Sequence, residues 1–291
     1  MRDSGPRAEP AFGDATSRAG SAAPPPACRL STLKRHKLAA ITRLLGPTDR
    51  LRCLDLGADN GVISFWLRRG GGDWTSADLD AETVAAIERL VGGPVHRLDG
   101  PWMPFSSDSF DRIVIVDLLE HLDDDRACVE ELFRILRPGG ELIVNVPHWK
   151  EGALRRLRLA VGQTDAAHGH VRPGYTRASL RAVLAGRFAV VAETTYGKGF
   201  SELLDIATRA VTERLKPPAT GGAKGTVLVE EDFRRHGRLF AVHAAVEPAL
   251  RLVAALDHLL VGFDGHMLIV KARSLKRPPT APSAAPSEEQ R

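Results

Sequence analysis

The sequence predicts an α/β protein with a doubly wound, mostly parallel sheet of seven strands, and three observations lead there. Between residues 50 and 147 five short apolar runs alternate with helical patterns, which a parallel sheet with right-handed crossovers satisfies. The first run, Cys53-Leu54-Asp55-Leu56, enters the glycine-bounded turn Gly57-Ala58-Asp59-Asn60-Gly61, and a helix opens at Val62. Acidic residues then close successive runs, as Asp78-Leu79-Asp80, Asp99-Gly100 and Asp117. In an open parallel sheet the carboxyl ends of the strands are where ligands bind.

Taken in order, Ser31 caps a helix that runs to about Leu45 and ends at Gly46-Pro47. Leu33, Ile41, Leu44 and Leu45 lie on one side of it; Lys34, Arg35 and Lys37 lie on the other, expected to be a solvated face. After the first strand, Gly57 and Gly61 let the backbone approach a ligand while the helix start offers free amides. The second strand, Trp74 to Ala77, puts the Asp78 carboxylate where it can accept from both hydroxyls of a ribose lying across the first turn. Together these features imply a nucleoside ligand. A helix from about Ala81 to Val91 carries Val84, Ile87, Leu90 and Val91 at core spacing, and strands follow at Val95 to Leu98, Arg112 to Val116 and Glu141 to Val146. The helix before the fifth strand, Asp124 to Leu136, buries Val129, Leu132, Phe133 and Leu136, with Asp123, Asp124 or Asp125 available as its cap. No histidine at helical spacing joins those acids, so no metal is expected.

Five phrases in this region, Leu54-Asp55-Leu56-Gly57, Pro104-Phe105, Ser109-Phe110-Asp111, Leu119-Glu120-His121-Leu122 and Leu136-Arg137-Pro138-Gly139-Gly140, resemble in wording and order the class I S-adenosylmethionine-dependent methyltransferases, of the methyltransferase type 11-like kind. The resemblance spans roughly residues 50 to 147 and implies S-adenosyl-L-methionine as cofactor. It also implies that a last strand, His266 to Ala272, runs antiparallel between the fifth strand and a sixth at Phe188 to Thr195. Carried over by position, Gly57 and Gly61 approach the amino-acid end of the cofactor and Asp55 orders the turn. Asp78 takes the ribose hydroxyls, Leu79 packs on the adenine, and Asp99, with Gly100 beside it, accepts from the adenine amino group. Asp117 faces the methionine portion or the acceptor, and Glu120-His121 supports the helix and loop there.

One residue departs from the family wording: Asp59 stands where a third, central glycine is usual. A carboxylate there opposes a pyrophosphate and argues against a dinucleotide dehydrogenase. It suits a sulfonium or an α-amino group, and it equally suits capping of the helix at Val62.

Methyl transfer from a sulfonium is an in-line displacement that chiefly asks for alignment. An oxygen acceptor adds the need for a base, and His148, just beyond strand five, with His168 and His170 in the following loop, are the candidates. The expected activity is methyl transfer to a small-molecule, glycan or lipid-linked acceptor, at oxygen. The alternative is a non-catalytic cofactor-binding module of the same fold.

The methyltransferase domain is expected to span residues 29–273, between Pro/Ala/Ser-rich tails at 1–28 and 274–291. Thr176 caps a short helix to about Ala185. A helical insertion at 196–265 holds the segments Glu202 to Leu215 and 232–261, the second kinked at Pro248. Leu239, Val242, Val246, Leu250, Val253, Leu256 and Leu260 form the apolar face of 232–261, expected to pack within the molecule as a lid, with peripheral membrane contact as a further expectation. Cys28, Cys53 and Cys128 lack metal spacing and suit a reducing cytoplasm, and no secretory or transit segment is apparent. A formal charge of +4, scattered along the chain, gives no reason to expect a nucleic-acid partner. Nothing in the sequence sets an oligomeric state.

Overall fold

In a computed structural model, the described residues are 31–57, 61–166, 169–215 and 237–277. The tail at 1–28, residues 278–291 of the second tail, Asp59, His168 and residues 216–236 lie outside them. Seven strands form one sheet in the order β3-β2-β1-β4-β5-β7-β6. They are β1 (Arg52–Leu56), β2 (Asp73–Asp78), β3 (Val95–Arg97), β4 (Phe110–Val116), β5 (Leu136–Pro147), β6 (Phe188–Tyr196) and β7 (Met267–Ser274). The first five pair in parallel, and β7 runs antiparallel between β5 and β6.

Both faces of the sheet's centre are covered, which is why β4 and β5 read as largely apolar runs. Period-2 alternation sends Leu54, Leu56, Ile113, Ile115, Leu142, Val144, Leu268 and Val270 to one side, where α4 (Asp125–Ile135) and α6 (Arg177–Leu184) pack. Cys53, Val114, Val116, Ile143 and Ile269 point the other way, onto α1 (Thr32–Leu45) and α2 (Val62–Arg69). Helix α3 (Ala81–Val91) follows β2. Asp80 caps α3, Asp124 caps α4, and Thr176 with Ser179 forms a capping box on α6.

Three departures from the sequence reading have physical causes. First, α5 (Ala153–Ala160) occupies a segment that reads as loop; it buries no residue, so it carries little core periodicity to find. Second, the basic side of α1 is not a solvated face: Lys34, Arg35 and Lys37 are all half-buried. Burial followed by repulsion from Arg251 lowers the pKa of Arg35, with Glu247 working the other way. Third, in the insertion, α7 (Gly199–Leu215) and α8 (Gly237–Ala255) are followed by a 3-10 turn, Leu256–Leu259. Of the face expected inside, Val246, Val253 and Leu256 are exposed and Leu250 and Leu260 half-buried, while Glu247 and Ala254 are buried. A hydrogen bond of 2.8 Å from Thr32 Oγ1 on α1 to Glu247 Oε1 holds Glu247 inward.

The domain also extends past its expected end. Ser274 closes β7, the Leu275 amide donates to the Arg187 carbonyl at 2.9 Å, and Lys276 Nζ reaches the carbonyls of Arg134 and Leu136.

Candidate functional site

The carboxyl ends of the parallel strands converge on the turn after β1. Gly57 has φ of +81°, and its amide donates to the Ala77 carbonyl at 3.1 Å. A Cβ there would lie 2.2 Å from the Val116 carbonyl oxygen, so only glycine lets β1 leave the sheet beside β4. Gly61, with φ of +79°, opens α2 against α3, where a Cβ would meet Ile87 Cα at 2.9 Å. Its lack of a side chain therefore serves helix packing.

Asp55 is fully buried beneath this turn. It accepts hydrogen bonds from Ser64 of α2, from Ser76 of β2 at 2.7 Å and from Arg68 at 3.3 Å. Burial raises its pKa against the opposing pull of Arg68, Ser64 and Ser76. The carboxylate thus ties β1, α2 and β2 together from inside. Asp78, also fully buried, ends β2 and accepts from the Asp80 amide at 3.2 Å. Leu79 packs partly buried against the core. Beyond β3, Asp99 is exposed and bridged to Trp102, and Gly100 turns with φ of +62°.

Asp117, at the tip of β4, holds a positive φ of 45°, rare for a residue with a side chain and typical of constrained functional positions. Its Oδ1 accepts from Asn145 Nδ2 of β5 at 2.8 Å and its Oδ2 pairs with Lys37 Nζ of α1. Tyr196 Oη donates to Asn145 Oδ1 at 2.7 Å, extending the chain to β6. Burial pushes the Tyr196 hydroxyl well above its ordinary pKa, so it stays a donor. The sequence reading gave Lys37, Asn145 and Tyr196 no role. Asn145 offered a signal, a polar residue inside an apolar strand; Lys37 offered none, because its partner is distant in sequence.

The candidate histidines separate. His148 sits just past β5, with its Nδ1 3.0 Å from the Gly265 carbonyl. A carbonyl only accepts, so Nδ1 carries the proton and Nε2 is left as the ring's acceptor. His170 stacks edge-on against His121 with centroids 4.9 Å apart, and its Nδ1 lies 4.0 Å from Asp165 Oδ1. The loop from Gly169 to Tyr175 is fixed to the ends of β4 and β5. The Val171 amide donates to the Glu120 carbonyl, Arg172 to the carbonyls of Leu122 and Asp123, and the Tyr175 amide to the Pro147 carbonyl. Asp125, beside the capping Asp124, takes Arg172 and, at 2.8 Å, the Tyr175 hydroxyl.

Strand order and crossovers together define a Rossmann-like, mostly parallel sheet. Residues 54–144 match the model of the family described as "Methyltransferase domain". Demethylmenaquinone methyltransferase of Clavibacter sepedonicus is 33% identical over 110 residues, 36% of this chain and 44% of that protein. Malonyl-[acyl-carrier protein] O-methyltransferase of Enterobacter lignolyticus is 28% identical over 173 residues, 59% of this chain and 68% of that protein. The chain spans less than half the length of the demethylmenaquinone methyltransferases it matches. Among solved structures, the [4+2]-cyclase SpnF aligns with a TM-score of 0.55 at 18% identity, covering 84% of this chain and 83% of that one. A Thermotoga maritima S-adenosylmethionine-dependent methyltransferase, a possible histamine N-methyltransferase, aligns at 0.51 and 16%, covering 85% and 91%. Residues 54–144 are thus similar to the methyltransferase-domain family, and the sheet shares the fold of the S-adenosylmethionine-dependent methyltransferase it aligns with.

Proposed function

We propose that the protein binds S-adenosyl-L-methionine along the carboxyl edge of β1, β2, β3 and β4 and transfers its methyl group to oxygen of a small-molecule, glycan or lipid-linked acceptor. The observation that carries this reading is the placement of buried Asp78 at the tip of β2, beside the glycine turn that leaves β1. In this reading Asp78 takes the ribose hydroxyls, Leu79 and Asp99 with Gly100 hold the adenine, and Gly57 and Gly61 face the amino-acid end. Asp55 supports them from below and Asp117 borders the methionine portion or the acceptor.

His148 supplies the base, since its tautomer leaves Nε2 facing away from Gly265. His170, in the following loop, is the second candidate base; His168 lies outside the described residues. The names of similar proteins favour a quinone-type acceptor or a carboxylate oxygen on a carrier-bound acyl group. A hydrophobic acceptor also fits the exposed Leu252, Leu259, Val261 and Phe263 at the end of the insertion, which we assign to contact with a membrane surface from the cytoplasmic side. Among the described residues no helix is long and apolar enough to cross a membrane.

Screening sugars, quinones and acyl or polyprenyl conjugates for incorporation of a labelled methyl group tests the proposal. Transfer to one class, abolished or lowered roughly 10²- to 10⁴-fold by His148→Ala, supports it. Cofactor binding with no transfer to any class would leave a non-catalytic module.

A further inference from the structure

We propose that Glu120, His121 and His170 form a binding site for one divalent transition-metal ion, at the edge of the sheet where β4 and β5 end. One ligand atom from each of the three residues lies within 4.8 Å of the others. They come from two separate segments, the 3-10 turn Leu119–His121 after β4 and the loop that follows α5. Neither segment carries a metal pattern in sequence; the fold makes one by joining them.

The frame that joins them is rigid. The Val171 amide donates to the Glu120 carbonyl at 2.9 Å, and Arg172 donates to the Leu122 and Asp123 carbonyls at 2.6 Å and 2.9 Å. His121 Nδ1 lies 3.0 Å from the Gly169 carbonyl oxygen, which can only accept, so that nitrogen is protonated and Nε2 keeps its lone pair. A ring nitrogen turned to a backbone carbonyl is the usual orienting contact of a metal-binding imidazole. Beside His170 stands the Asp165 carboxylate, held in turn by Arg155 at 2.9 Å. Glu120 is fully buried, and a carboxylate taken out of water gains most from a cation at bonding distance.

The donor set fixes the class of ion. Two imidazoles with one carboxylate suit zinc, iron(II), cobalt(II), nickel(II) or manganese(II), whereas magnesium and calcium take oxygen donors. Bonds of roughly 2.0–2.2 Å in a tetrahedral site set ligand atoms about 3.4 Å apart, so the side chains close by up to about 1.4 Å through small rotations. Three protein ligands leave open positions for water or for an oxygen of a bound acceptor. This inference rests on these three residues and stands whether or not the chain transfers methyl groups.

The test uses the untagged full-length chain, stripped with chelator and titrated with cobalt(II). The expected result is one saturating equivalent with visible d–d absorption, displaced by zinc and unaffected by excess magnesium. His121→Ala and His170→Ala should each weaken cobalt binding at least ~10-fold with an unchanged far-ultraviolet dichroism spectrum, while His258→Ala, on the exposed insertion, should not. Should either site variant fail to fold, paramagnetically shifted proton resonances of two imidazoles in the wild-type cobalt complex identify the ligands without mutation. No saturable binding, binding undiminished in folded His121→Ala and His170→Ala, or a cobalt complex without shifted imidazole signals would overturn the proposal. The cluster would then be a hydrogen-bonded anchor for the loop only.

Discussion

A methyl group on Gly57 would stand 2.2 Å from the Val116 carbonyl and 3.0 Å from Leu118 Cβ, on a backbone already at φ of +81°. Strain and overpacking each cost about 1–3 kcal/mol, so Gly57→Ala should destabilise the fold by roughly 2–5 kcal/mol in urea unfolding. A loss under about 1 kcal/mol would mean that the turn relaxes more easily than its packing implies. His266 sets a different dependence. It immediately precedes β7 and is half-buried, its Nδ1 2.6 Å from the Gly197 carbonyl, and desolvation lowers its pKa despite the opposing charges of Asp205 and Glu202. Since the unfolded chain takes up this proton more readily than the folded one, stability is full above the unfolded value near 6.5 and declines as pH falls toward the folded value. Unfolding measured from pH 8 to 5 should show a flatter decline in His266→Gln than in the parent; equal slopes would remove His266 as the cause. Asp205 acts lower on the scale. Burial raises its pKa, yet Arg209, His266 and Arg158 outweigh that and hold it well below the usual carboxylate range, so its stabilisation is full above the unfolded value near 3.8 and is lost progressively as pH falls below it.

At the level of elements, the insertion is fastened by its own ends. Asp257, in the 3-10 turn after α8, accepts from the amides of Lys198, Phe200 and Ser201 at the start of α7, at 2.7, 2.9 and 3.3 Å. A cap normally comes from the preceding residue; here the acidic side chain arrives from the far end of the insertion and also complements the helix dipole. Asp257→Ala should speed hydrogen exchange at amides 198–201 by about 10-fold, corresponding to roughly 1–2 kcal/mol for the lost cap, and leave β1 to β5 unchanged. Unchanged exchange at those amides would show that α7 holds its start without Asp257. The central strands β1, β4 and β5 were legible because both sheet faces are covered there and their runs are largely apolar. The orientation of α8 was not legible. Its periodicity offers more than one stripe, and the contact that holds Glu247 inward, from Thr32, joins segments 215 positions apart.

For the whole molecule, what could be read from sequence followed the same division. The order of strand-end acids along the chain located Asp78, Asp99 and Asp117 on one edge of the sheet, because strand ends in a parallel sheet necessarily share an edge. Side-chain groupings assembled across that edge were hidden. The Lys37-Asp117-Asn145-Tyr196 chain draws on α1, β4, β5 and β6, and Glu120, His121 and His170 meet only once the loop folds back on the end of β4.

The reading of the molecule as a cofactor-dependent transferase turns on Asp78, and calorimetry of S-adenosyl-L-methionine binding to the parent chain and to Asp78→Ala tests it most directly. Loss of charge-assisted hydrogen bonds to the ribose, at roughly 1.5–3 kcal/mol for each, should raise the dissociation constant at least ~10-fold in a variant that keeps its dichroism spectrum and thermal transition. Asp78→Asn, which keeps the side-chain shape and loses the charge, should fall between the two. An affinity unchanged in folded Asp78→Ala, or no binding by the parent chain, would contradict the account.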